Sequence, residues 1–200
     1  MEINRLIADE GHKLLILGSH GKSMSKEILL GSVSDSIIRN LKIPALVIKC
    51  PKEPNICAFD LSSNILFPTD FSDNAKTAFE VLASIASHYN AKVTLYHVQD
   101  INIVFPHLKH KLTEFNTIDK QRLDVFKQAL IDRGIKEVTV KLETGHAKQA
   151  IINEINNNKY NLVVMGTQGR GWIEEVFIGG IAHAVIRKSN SSLLLVPYKR

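Results

Sequence analysis

Cysteine is scarce in this chain: Cys50 and Cys57 are the two in 200 residues, separated by six positions that include Pro51 and Pro54. With no C-x-x-C spacing, neither a disulfide framework nor a zinc site is expected, and both thiols should be reduced. Long apolar runs are missing as well. None nears the ~18 residues that span a bilayer, so no membrane partner is expected. The opening Met1-Glu2-Ile3-Asn4-Arg5 has no basic stretch leading into an apolar one, so no signal peptide is expected and the cytoplasm is the default location. Lysine and arginine outnumber the acids by 25 to 20, yet they are interleaved with them, and aromatics reach only 6%. Without a basic stripe carrying interleaved aromatics, nucleic acid is not an expected partner. His107 and His110 have no acid or cysteine to complete a metal set. Two familiar phosphate motifs also fail. A Walker A loop ending in Gly21-Lys22-Ser23 needs glycine where Ile16 stands, and a dinucleotide fingerprint through Gly169 and Gly171 needs it at Glu174.

What remains is an ordinary globular composition, 44% hydrophobic and 22% charged, on a chain long enough for a sizeable core. Apolar spacing predicts a helix ending at Gly11, a strand over Lys13–Leu17 buried on both faces, a helix over Gly31–Asn40 and a strand over Ala45–Ile48. Residues 50–63 carry two prolines and no period, which reads as a linker. From Asn64 the pattern alternates: strand, helix opened by Ser72, strand over Lys92–Val98, helix over Lys109–Arg133, strand over Glu137–Leu142, helix over Ala147–Asn157, strand to Met165, helix, and a last strand at Leu193–Val196. Five strands alternating with four helices call for an open parallel α/β sheet with right-handed crossovers and helices on both faces.

One element occurs twice. Gly166, Gly169 and Gly179 follow the apolar run Leu162–Met165, and Gly18, Gly21 and Gly31 follow Leu14–Leu17, each glycine 148 residues before its counterpart. A glycine loop leaving a buried strand and entering a helix offers backbone N–H groups in a concave array, which favours an anion. Arg170, within the second loop, is the candidate counter-charge for a phosphate. Thus residues 64–200 read as a complete domain and 1–49 as the C-terminal part of a related one, joined by the 50–63 linker.

The residues Gly18-Ser19-His20-Gly21, then Gly31-Ser32 after nine more, taken with Phe67-Pro68-Thr69-Asp70-Phe71-Ser72, resemble the universal stress protein family in its tandem-domain form. The resemblance covers 64–200 in full and 2–49 as a partial repeat. It implies an adenine nucleotide α-hydrolase-like fold, a five-stranded sheet ordered 3-2-1-4-5, and an ATP or AMP site, with or without Mg²⁺, at the ends of strands 1 and 4. Carried onto this chain, it implies that Thr69 and Asp70 lie near ribose and adenine and that Val98 offers backbone hydrogen bonds to adenine. Met165 and Gly166 would flank ribose and phosphates, Gly169 and Gly179 would approach phosphate, and Ile181 would supply a backbone N–H. Gly180 departs from the pattern, which has Ser or Thr there; the missing hydroxyl removes a hydrogen bond to a charged group worth ~1.5–3 kcal/mol.

Two functions of different class follow as expectations. One is a regulatory, non-catalytic stress-response protein binding an adenine nucleotide in the second domain; the other is a dimerisation module of the same fold that has lost its ligand. A slow ATPase is a third and weaker reading, since neither a P-loop lysine nor a paired base is present. The family resemblance also implies that Ala45–Ile48 pairs with Leu193–Val196. The exposed edge of Lys13–Leu17 then leads to an expected homodimer or higher homo-oligomer.

Overall fold

The computed structural model describes residues 2–18, 32–49, 63–100, 110–169 and 178–198. The elements follow in the order α1 (Glu2–Glu10), β1 (Leu15–Gly18), α2 (Ser32–Arg39), β2 (Ala45–Ile48), β3 (Asn64–Pro68), α3 (Asp73–Tyr89), β4 (Lys92–Asp100), α4 (Leu112–Ile131), β5 (Val138–Gly145), α5 (Ala147–Asn157), β6 (Leu162–Gly166), α6 (Gly180–Lys188) and β7 (Ser192–Val196). Local chemistry sets many of these bounds. Ser72 caps α3 by accepting from the Ala75 N–H at 3.2 Å, and Asn90 ends that helix in a left-handed conformation. Gly11 and Gly134, which follow α1 and α4, take φ of +68° and +86°, a region glycine enters without a Cβ penalty.

Seven strands form one sheet in the order β1-β2-β7-β6-β3-β4-β5. From β3 onward this is the 3-2-1-4-5 order that the family resemblance implies, with every pair in that part parallel. Strand alternation divides the interior. Ile65, Phe67, Leu162 and Val164 point to the face covered by α3 and α4. Leu66, Val163 and Met165 point to the face covered by α5 and α6, where Ile38 of α2 also packs. Phe67 is fully buried and meets Phe79 at 5.9 Å and Phe126 at 6.4 Å between ring centroids; one such side chain stabilises by ~1.5–3 kcal/mol.

The N-terminal strands join by an antiparallel contact: Ala45 faces Leu195, Leu46 faces Leu194 and Val47 faces Leu193. This is the pairing that the family resemblance implies, and it forms within one chain. Leu46 and Leu194 are 148 residues apart, the same offset as the glycines, and the pairing is symmetric about them: Ala45 meets the position 148 beyond Val47, and Val47 the position 148 beyond Ala45. One expectation is overturned. The strand at Lys13–Leu17 was to be buried on both faces, but Ile16 is 58% exposed and Leu14 47%, whereas Leu17 packs inward. The reason is coverage: α3 and α4 lie over the other end of the sheet, and among the described residues no helix covers that face of β1.

Candidate functional site

The sheet order reverses between β3 and β6, since β3 leads to β4 on one side and β6 flanks it on the other. A crevice opens outside the carboxyl ends of strands at such a point. Here it is a cleft of about 290 Å³, and it gathers nine of the ten residues picked from the sequence: Thr69, Asp70, Val98, Met165, Gly166, Gly169, Gly179, Gly180 and Ile181. Arg170 lies outside the described residues, as do Gly21 and Gly31 of the first loop.

The β3 side of the cleft is a tight turn. The Thr69 N–H donates to the Tyr96 carbonyl at 2.9 Å, and the Thr69 hydroxyl accepts from the Phe71 N–H at 3.1 Å. Asp70 Oδ1 accepts from the Ser72 N–H at 3.0 Å, which fixes the carboxylate. Phe71 carries φ of +60°, an unusual value for an aromatic residue and a mark of local strain. Its ring is held by His97 at 4.6 Å and Phe126 at 5.9 Å, with the Arg122 guanidinium 5.5 Å from its centre. On β4, Tyr96 turns its carbonyl to β3. Val98, two residues on, turns its backbone groups the same way, beyond the end of β3 and toward the cleft.

The β6 side is a glycine turn closed by its own backbone: the Gly179 N–H donates to the Thr167 carbonyl at 2.6 Å. Gly179 caps α6 without a side-chain oxygen, so the N–H groups of Gly180 and Ile181, which have no carbonyl within the helix, are left for another acceptor. At two glycines a side chain would crowd its neighbours. A Cβ on Gly169 would lie 2.7 Å from Asp70 Oδ2, and one on Gly166 would lie 2.8 Å from Asn74 Cγ. Around Gly180, by contrast, a Cβ would meet nothing within 4 Å.

Three residues that sequence reasoning missed or underrated shape the cleft from behind. Asn74, 5% exposed, donates to the Val196 carbonyl at 3.1 Å and accepts from the Gln168 N–H at 2.8 Å, tying α3 to the end of β7 and to the chain leaving β6. His97 lies against the Thr69 carbonyl at 2.6 Å through Nδ1, and against Asp119 Oδ2 at 3.2 Å through Nε2. Asp119 carried a legible signal, a carboxylate in the middle of the apolar stripe Phe115, Leu123, Phe126 and Leu130. His183, beside the cleft on α6, instead approaches Asp35 of α2 at 3.4 Å. The Arg39 guanidinium bonded to Asp35 holds that carboxyl below its usual range.

Comparison with known proteins agrees with this architecture. The model of the universal stress protein family matches residues 1–49 and 62–197. Universal stress protein MJ0577 of Methanocaldococcus jannaschii is 26% identical over 157 residues, covering 68% of this chain and 94% of its own length. Its solved structure superposes with a TM-score of 0.63 at 28% identity, over 70% of this chain and 99% of that one. A universal stress protein from Archaeoglobus fulgidus superposes over 98% of this chain and 66% of its own, with a TM-score of 0.70 at 24% identity. A universal stress protein solved in complex with cAMP has a TM-score of 0.52 at 21% identity, over 68% of this chain and 96% of its own. Since the family model spans both ends of the sheet and nearly all of the described residues, this chain belongs to the universal stress protein family.

Proposed function

We propose that the cleft between β3, β4 and β6 binds an adenine nucleotide and that the protein acts as a regulatory, non-catalytic nucleotide-binding protein of the cytoplasm. The observation that carries this reading is the meeting of nine residues, chosen from separate parts of the sequence, in one cleft at the reversal of strand order. Val98 would offer adenine its open backbone edge, Asp70 would receive ribose hydroxyls, and the N–H groups of Gly169, Gly180 and Ile181 would take phosphate. AMP and ATP, the latter with Mg²⁺, are the ligands in view. cAMP joins them because a protein of this fold was solved with it.

Calorimetry with AMP, cAMP, and ATP with and without Mg²⁺ tests the reading. Saturable binding that is lost in Asp70→Ala supports it; no heat and no thermal shift at millimolar nucleotide rejects it. The second reading, a ligand-free interaction module of the same fold, is favoured by Gly180, where the hydroxyl is missing. Nucleotide released on denaturing the purified protein would count against that reading.

We further read residues 1–49 as the C-terminal part of a first family domain, 50–63 as a linker and 64–200 as a complete domain. The common offset of the glycines and of the Leu46–Leu194 pair supports this division. Homodimer formation through the β1 edge follows from the exposed Leu14 and Ile16. Light scattering at tens of micromolar should give at least twice the mass of one chain, and Ile16→Glu should reduce it to one.

A further inference from the structure

We propose that the buried Asp119–His97 pair is the positioning device of the β3 side of the cleft: it holds the Thr69–Phe71 turn so that Asp70 faces Gly169. The inference rests on the nucleotide reading above and assigns that site a control that touches the ligand only through the turn.

Three observations meet here. First, both residues lie almost wholly in the interior, His97 at 4% and Asp119 at 5% exposure, although each is usually at home in water. A buried polar pair of this kind is retained at a desolvation cost, and it is costly to break because the remaining partner is left unsatisfied. Second, both partners of the imidazole are acceptors. Nδ1 at 2.6 Å from the Thr69 carbonyl must carry a hydrogen, and the 3.2 Å contact of Nε2 with Asp119 Oδ2 needs one more proton, held on either side. The contact chain from α4 to the Thr69 carbonyl is therefore complete only while the pair keeps that proton. Third, the next peptide is strained. Phe71 keeps its φ of +60° between the His97 and Phe126 rings, so the turn is stable only while its surroundings hold it. Asp70, whose carboxylate rests against Gly169, is the residue between the held carbonyl and the strained one.

The charged groups around the pair are few. Arg122 of α4 bonds the other oxygen of Asp119 at 3.2 Å, and Asp70 and Asp100 line the cleft from β3 and β4. Removing either member leaves the other a buried polar group without that partner, and the turn loses its tie to α4.

The test uses the full chain and AMP as probe. Calorimetry is run beside ¹⁵N spectra of the His97 ring in wild type, Asp119→Asn, His97→Gln and, as a variant of the same core away from the turn, Leu130→Ala, with thermal midpoints as the measure of folding. The expected result is AMP binding weakened about ten-fold in Asp119→Asn, as for one lost hydrogen bond to a charged group, with altered ring resonances of His97. Leu130→Ala should lose thermal stability and keep wild-type affinity, which separates positioning from stability. Asp119→Asn binding as tightly as wild type overturns the proposal and leaves the nucleotide site standing. Wild type that binds no AMP, cAMP or ATP removes both. Should Asp119→Asn not fold, His97→Gln binding AMP as tightly as wild type overturns the proposal by itself.

Discussion

Asn74 stands directly against Gly166: a Cβ on that glycine would come within 2.8 Å of the Asn74 Cγ and closer still to its amide oxygen. The same amide side chain joins the Val196 carbonyl to the Gln168 N–H. Space for the asparagine and absence of a side chain on the glycine are one requirement.

Gly166→Ala should therefore act chiefly by dislodging Asn74, at a cost of about 2–3 kcal/mol. Asn74→Ala should cost ~1–3 kcal/mol by leaving a buried donor and acceptor unpaired. In the double variant much of the alanine clash has no partner, so its cost should fall short of the sum by about 1 kcal/mol or more. Urea unfolding of the four proteins measures this coupling; strict additivity would mean that the two sites act independently.

Gly180→Ser restores a hydroxyl at the start of α6, where a Cβ meets nothing within 4 Å. Serine costs the helix less than glycine, so stability should hold or rise by a few tenths of a kcal/mol. Nucleotide affinity should rise about ten-fold, the worth of one hydrogen bond to a charged phosphate oxygen. Titration calorimetry with AMP or ATP reads it. Unchanged affinity would place phosphate away from the first turn of α6.

Lys49 follows β2, and its ammonium donates to the Ile186 carbonyl in α6 at 2.7 Å. Burial pushes this group down from 10.5 to about 8. Between those two values the unfolded chain binds more protons at this site than the folded one, so the contribution of Lys49 to stability should rise with pH across that window. Against Lys49→Met, wild type should gain about 1 kcal/mol from pH 7.5 to 10, a partly solvated ammonium giving less than the full shift. Denaturant unfolding of both proteins at the two values decides it, and a difference that narrows with pH in favour of the methionine protein would reverse the sign.

Phe71→Leu removes the ring that meets His97, Phe126 and Arg122 while leaving the strained φ in place. It should cost about 1–2 kcal/mol, as expected for losing aromatic contacts and part of a buried side chain. Weaker AMP binding should accompany that cost, because the turn presenting Asp70 loses its clamp. A melting curve and one calorimetric titration suffice, and intact binding in a destabilised protein would uncouple the clamp from the cleft.

Much of this architecture was legible in the sequence. Helical stripes such as Ala75, Ala78, Phe79 and Leu82 encode which face meets the sheet, and all four are buried. Glycines at 166, 169 and 179 were readable from their spacing alone, whereas the side chains that crowd two of them, Asn74 at Gly166 and Asp70 at Gly169, come from a distant stretch of the chain. Buried polar groups were harder. Asp119 is buried while the neighbouring Ile118 is 39% exposed, an inversion that only the distant His97 explains. Asn74 likewise takes its meaning from Gln168 and Val196, far along the chain. The exposed side of β1 was unreadable for the opposite reason: an apolar run reports what a strand could bury, not whether a helix arrives to cover it.

The pairing of Leu46 with Leu194 places between two parts of one polypeptide a contact of a kind that separate molecules form only by collision. Its strength is governed by the length of the tether, not by how much protein the cell makes, because a linked partner is present at a fixed local concentration. The outer edge of β7, one strand from the glycine turn, should thus remain covered at any dilution, and the geometry of the cleft should be the same in a scarce protein as in an abundant one.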